Sequence, residues 1–148
     1  IFDHIEVNYS YPKGVRAFMA QRQQRRCHNE NSDYLLGTKG RGEIARSIFT
    51  ENAKGRWSYD GKRENMYQIE HNELFESIRA GKPINNGDRM ALSTMMAIMG
   101  RTAAYTGKEI TYEQILSAKE DRYPKDMNWK TGKHTPPPLA KPGLTPFV

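Results

Sequence analysis

The stretch His4-Ile5-Glu6-Val7-Asn8-Tyr9-Ser10-Tyr11-Pro12-Lys13-Gly14-Val15-Arg16-Ala17-Phe18-Met19-Ala20-Gln21 carries the pattern that decides the fold. From His4 to Tyr11 the side chains alternate with period two. Ile5, Val7, Tyr9 and Tyr11 fall on one side, and His4, Glu6, Asn8 and Ser10 on the other. Tyr11-Pro12-Lys13-Gly14 is a turn signal. Pro12 presets φ for position i+1 of a type I turn, and Gly14 supplies the positive φ that follows. Alternation resumes at Val15, with Val15, Ala17 and Met19 against Arg16, Phe18 and Ala20. The stretch therefore predicts a β-hairpin with one strongly polar face. Such alternation suits an antiparallel sheet with one face on a core and the other on water or a partner.

Downstream, Arg22 to Asn31 reads as a polar loop and Ser32 to Gly37 as a third strand. Gly37-Thr38-Lys39-Gly40-Arg41-Gly42 reads as a turn and Glu43 to Phe49 as a fourth strand. Trp57 and Tyr59 mark a fifth, closed by Asp60-Gly61. After residue 67 the period changes to that of a helix. Gln68 to Ala80 places His71, Leu74, Phe75 and Ile78 on one stripe, with Gly81 as its C′ residue. Asp88 is expected to cap a second helix from Arg89 to Thr106, ended by Gly107. Its apolar stripe is Leu92, Met95, Met96, Met99 and Ala103. Beside it runs a small stripe of Ser93, Ala97, Gly100 and Ala104, which lets another backbone approach closely. Thr111-Tyr112-Glu113-Gln114 is a capping box that starts a short helix through Ala118.

The composition shifts at Lys119. Six of the eight prolines lie between Pro124 and Pro146, so this segment predicts an extended tail. Trp129, Leu139, Leu144 and Phe147 are expected to dock it. The domain organisation read from the sequence is thus 1–118 as a sheet-plus-helix domain and 119–148 as a Pro-rich tail.

The 148 residues include 36% hydrophobic and 27% charged residues, enough for one domain with a modest core. The net charge is +6, but it is spread along the chain, +3 in residues 1–60 and +3 in 61–148. No basic patch is concentrated enough to support nucleic-acid binding. No run approaches the roughly 18–20 apolar residues of a membrane span. The first residue is Ile1 and no leader pattern is visible, so the sequence reads as a fragment of a longer protein. Cytoplasmic and exported locations both stay open. Cys27 is the only cysteine, which leaves neither an internal disulfide nor a CxxC site.

Gly37-x-x-Gly40-x-Gly42 lacks the glycine order and the following helix that a dinucleotide loop needs. His4, Cys27, His28, His71 and His134 show no metal-ligand spacing. His71 sits on an apolar stripe, where a hydrogen-bonded core histidine is the expected role and a substrate-facing one the alternative. Arg22, Arg25, Arg26, His28 and Asn29 form the densest polar cluster. The guanidinium fork suits hydroxyl or carboxylate recognition, and a solvated loop is the competing reading.

Several segments, in order, resemble a known family. They are Phe2-Asp3-His4, Tyr9-Ser10-Tyr11-Pro12-Lys13-Gly14-Val15, Leu36-Gly37-Thr38-Lys39-Gly40 and Glu70-His71-x-x-Leu74-Phe75-x-Ser77-Ile78-Arg79-Ala80-Gly81-Lys82-Pro83-Ile84-Asn85. Ser93 to Arg101 and Tyr105-Thr106-Gly107-Lys108 continue the series. Together they are similar to the C-terminal domain of the glucose–fructose oxidoreductase / inositol dehydrogenase (Gfo/Idh/MocA) family, in versions common in Bacteroidetes and Planctomycetes. The resemblance implies an α/β (α+β) domain with a large, open, mostly antiparallel sheet and helices packed on one face. It also implies a Rossmann domain elsewhere in the parent protein that binds NAD or NADP. The family's GxGxxG, EKP lysine and DxxxH-type motifs do not occur in this sequence, so no catalytic or cofactor-binding residue is assigned here.

The resemblance places Arg22, Gln23 and His28 near a substrate cleft, and His71 completes the pocket candidates. The implied function is the substrate-binding and oligomerisation domain of an NAD(P)-dependent oxidoreductase acting on a sugar or polyol. Hydride would pass between a carbinol carbon and the nicotinamide. The alternatives are a domain of an NAD-assisted glycosidase and a non-catalytic sugar-binding or scaffold domain. A homo-oligomer is expected, built through the open sheet face that carries His4, Glu6, Asn8, Ser10, Arg16, Phe18 and Ala20.

Overall fold

The computed structural model describes residues 2–44, 49–121 and 123–148. It is a mixed α+β fold with two antiparallel sheets and three helices among those residues. The chain divides into two compact units, Ile1–Arg25 with Asn85–Val148, and Arg26–Ile84.

In the first unit, β1 (His4–Ser10) pairs with β2 (Arg16–Arg22), Val7 opposite Met19 and Tyr9 opposite Ala17. Ile5, Val7, Tyr9, Ala17 and Met19 are half-buried and their neighbours exposed, so the alternation holds within the strands, whereas Tyr11 and Val15 of the expected apolar face are exposed at the turn. The turn differs from the expected type I. Lys13 already has φ 61° and Gly14 follows at φ 76°, so two successive residues lie in the left-handed region. A bond from the Tyr11 N–H to the Val15 carbonyl, 2.9 Å, closes the loop.

Helix α2 (Gly87–Thr106) covers the apolar face of this hairpin. The Tyr9 hydroxyl donates to the Met96 carbonyl at 2.9 Å, and the Tyr11 hydroxyl to Met96 Sδ at 3.5 Å. Gly100 is buried beside Tyr9 and Val7, as the small stripe predicts. Packing is confined to the second half of the helix. Met95, Met99 and Ala103 are half-buried, whereas Leu92 and Met96 of the expected apolar stripe stay exposed, with Ser93 and Ala97 of the small one. The start also departs from expectation. Asn86 is the N-cap residue, and Asn85 Oδ1 accepts the Gly87 N–H at 3.0 Å. Asp88 lies inside the first turn, where its charge meets the positive end of the helix dipole.

Gly107 ends α2 at φ 68°. The capping box then opens α3 (Tyr112–Ser117), with the Gln114 N–H on Thr111 Oγ1 at 3.2 Å and the Thr111 N–H on Gln114 Oε1 at 2.8 Å. Ile115 of α3, 7% exposed, is the one buried large apolar side chain among the described residues. The tail docks, but not as expected. Trp129, Leu139 and Leu144 are exposed, and only Phe147 is half-buried. What fastens the tail is backbone: the Gly143 N–H donates to the Thr106 carbonyl at 2.8 Å. That bond satisfies a carbonyl that the end of a helix leaves without a partner.

The second unit is a meander of β3 (Tyr34–Gly37), β4 (Gly40–Glu43), β5 (Phe49–Asn52) and β6 (Gly55–Ser58). The chain reverses at Thr38-Lys39, so Gly40 to Gly42 belong to a strand and not to a longer turn. The expected fourth strand from Glu43 to Phe49 is instead the end of β4 and the start of β5. Its interior, 45–48, lies outside the described residues. The strands thus form two hydrogen-bonded sheets, and every ladder among the described residues is antiparallel.

Helix α1 (Met66–Arg79) follows the meander, capped by Asn65, whose side chain accepts the Tyr67 N–H at 3.0 Å. It ends with Gly81 at φ 64° and with Lys82 N–H bonded to the Ser77 carbonyl, 3.0 Å. Only the left-handed Gly81 lets that reverse bond form without strain. Leu74, Phe75 and Ile78 of the expected stripe are exposed. No helix among the described residues is long and apolar enough to cross a membrane.

Candidate functional site

The sequence candidates fall in both units. Arg22 ends β2 and Gln23 begins the loop, where its N–H donates to the Asp3 carbonyl at 2.7 Å. Asp3 gathers this corner. One carboxylate oxygen accepts from Gln24 Nε2 at 3.0 Å and the other from His4 Nδ1 at 2.7 Å. The Gln24 bond, then the His4 bond, hold the Asp3 carboxyl below its ordinary pKa, because both favour the charged form. The corner therefore fixes where the chain leaves β2 and how Arg22 and Gln23 are presented.

His28 lies in the second unit, on the loop before β3. Its Nε2 is 3.4 Å from Glu30 Oε2, and Glu30 Oε1 accepts the Tyr34 hydroxyl at 2.6 Å. The adjacent Ser32 hydroxyl donates to Glu43 Oε1 at 2.6 Å. The bond to Glu30 raises the Tyr34 pKa, since a neighbouring carboxylate opposes a phenolate. The result is an exposed imidazole–carboxylate–phenol chain, a set of donors and acceptors suited to hydroxyl recognition. Glu30, Ser32 and Tyr34 are the residues that sequence reading missed. Their only signal is the density of short polar side chains just before a strand.

His71 is not a core histidine. It is exposed on α1, and Nδ1 donates to the Tyr67 carbonyl one turn back at 2.6 Å. With the proton on Nδ1, the neutral ring keeps Nε2 as an acceptor for an outside hydroxyl. Arg22 and Gln23 belong to one unit, and His28 and His71 to the other.

A cleft of about 50 Å³ opens at the C-terminal end of α2, lined by Arg101, Thr102, Tyr105, Thr106, Glu120 and the tail residues from Thr145. It has room for a few waters, well short of the ~300 Å³ at which ligand pockets begin. Arg101 stacks on the Tyr105 ring at 4.3 Å, and Phe2 packs on the same ring at 4.6 Å. None of the four candidates lines this cleft.

The Gly37–Gly42 run does not have the geometry of a dinucleotide loop. Gly37 and Gly40 face each other across a two-residue turn between antiparallel strands, and Gly42 is spent inside β4. A pyrophosphate needs the glycines between a strand and the N-terminus of a helix. Among the described residues no group of three or more His, Cys, Asp or Glu is arranged to hold a metal ion. Comparison with protein-family models, with curated proteins and with solved structures finds no match.

Proposed function

We propose that this chain is the substrate-binding and assembly domain of an NAD(P)-dependent oxidoreductase acting on a sugar or polyol. The observation that carries this reading is the ordered series of motifs from Phe2-Asp3-His4 to Tyr105-Thr106-Gly107-Lys108. Supporting it is an antiparallel α+β fold in which a helix covers one face of the first hairpin. The dinucleotide belongs to another domain of the parent protein. Each unit offers hydroxyl-binding groups of its own, the guanidinium fork of Arg22 and the amide of Gln23 in the first and the imidazoles of His28 and His71 in the second. The outer face of the β1–β2 hairpin is the assembly surface. It mixes hydrogen-bonding groups with Phe18, which is 77% exposed, a composition common at subunit interfaces.

Arg22→Ala and His28→Ala in the parent protein test these contacts one unit at a time. A polar partner left unpaired costs about 1–3 kcal/mol, so kcat/KM should fall by about tenfold or more at unchanged Tm. Wild-type kinetics in both variants would reduce the cluster to a solvated loop. A second reading, a non-catalytic sugar-binding or scaffold domain, is favoured by one observation: Arg22, Gln23, His28 and His71 are all exposed.

A further inference from the structure

β3 is an edge of the four-stranded sheet, and it differs from the other sheet edges among the described residues. β1 carries Glu6, β2 carries Arg16 and Arg22, and β6 carries Arg56. Charges of this kind keep a further strand from adding to an edge. Tyr34-Leu35-Leu36-Gly37 has no charge, no proline and no break in register. Its side chains are exposed, Leu36 at 91%.

The backbone polarity of this edge follows from one bond. The Ile44 N–H donates to the Asp33 carbonyl at 3.1 Å. In an antiparallel ladder, hydrogen-bonded pairs recur at every second residue. Asp33, Leu35 and Gly37 therefore turn their N–H and C=O groups towards β4. Tyr34 and Leu36 turn theirs to the open edge, where no backbone group among the described residues meets them.

We propose that β3 pairs with β3 of a second copy of this chain, antiparallel, about a two-fold axis at Leu35. This is separate from the hairpin face and does not depend on the substrate. In this register Tyr34 lies opposite Leu36 of the second copy, so the outward groups of both exchange hydrogen bonds. Tyr34 and Leu36 share one face of the sheet, so ring and leucine pack side by side. On the other face Leu35 meets its own counterpart.

Light scattering on the full chain tests the pairing, with Phe18→Glu used to remove assembly through the hairpin face. The Phe18→Glu chain should weigh twice the 17.0 kDa monomer. Adding Leu36→Pro should return it to the monomer. The proline removes an outward donor and leaves the ladder to β4 whole. A Phe18→Glu chain that is already monomeric, or a mass that Leu36→Pro leaves unchanged, overturns the proposal. A second measurement does not depend on how the proline variant folds. In a Cys27→Ser background, Leu35→Cys should form a disulfide-linked dimer on mild oxidation, since facing residues of a non-hydrogen-bonded pair lie about 4.5 Å apart. Absence of that dimer on a non-reducing gel overturns it as well.

Discussion

A methyl group at position 100 tests the contact between α2 and the hairpin. A Cβ there would run into the Tyr9 hydroxyl, and would sit 3.3 Å from Tyr9 Cζ and 3.5 Å from Val7 Cγ2. The same hydroxyl holds the Met96 carbonyl at 2.9 Å. At an open helix site Gly→Ala gains about 1 kcal/mol. Here the hydroxyl must move, which forfeits a bond worth about 0.5–1.5 kcal/mol. Overpacking adds about 1–3 kcal/mol more. Gly100→Ala should therefore destabilise by about 1–3 kcal/mol, lowering Tm by roughly 2–4 °C per kcal/mol in a chain of this size. Gly100→Leu should cost more. In a Tyr9→Phe background the obstacle is gone, and alanine should recover most of its helix propensity. Urea unfolding of the four chains, followed by far-UV circular dichroism, should then give a coupling of about 2–4 kcal/mol. A gain of about 1 kcal/mol from Gly100→Ala in both backgrounds would show that this helix face is open.

The tail contact is tested at Gly107, where φ is 68° and a Cβ would lie 2.8 Å from the Gly143 nitrogen. Gly107→Ala should cost about 1 kcal/mol at the helix end and should speed chymotryptic cleavage after Leu144; an unaltered digest would show that the tail is held elsewhere. Burial, and then the nearby Tyr11, raise the Tyr9 phenol above its ordinary 10.0. The unfolded chain ionises first, so the stability this shift contributes should be fully present below about pH 10 and be lost as pH rises past it. Tyr9→Phe should make that decline shallower, leaving the part owed to Tyr34; an identical alkaline profile would contradict the packing of Tyr9. Phe18→Glu should halve the mass of the assembly in light scattering, and an unchanged mass would move the interface off the hairpin face. Calorimetric titration of this chain with NAD and with NADP should show no binding, and micromolar affinity would overturn the assignment of the dinucleotide to another domain.

The hairpin was legible because one face of it meets a helix, and period-two alternation records that burial directly. The helix ends at Gly81 and Gly107 were legible for a similar reason: a left-handed residue is needed there, and glycine supplies it at least cost. The stretch from Glu43 to Phe49 misled because the apolar residues on either side of 45–48 look like one strand, whereas the ladder partners belong to two. On α2 the stripe of Leu92 and Met96 overstated burial, while Thr102 and Thr106, both polar, are buried. The Thr106 hydroxyl donates to the Thr102 carbonyl at 2.8 Å and accepts the Lys108 N–H at 3.3 Å, so a threonine can enter a core on backbone partners near in sequence. The Glu30–Tyr34 pair escaped notice because loop contacts follow no period.

Initial-rate assays of the parent protein with NAD and NADP, over a panel of polyols and aldoses, bear most directly on the proposed function. The predicted result is nicotinamide reduction with at least one polyol or sugar, and a loss in kcat/KM of about tenfold or more in His28→Ala. A full panel without nicotinamide reduction, in a protein that still binds sugar, would contradict the oxidoreductase assignment and leave a binding domain in its place.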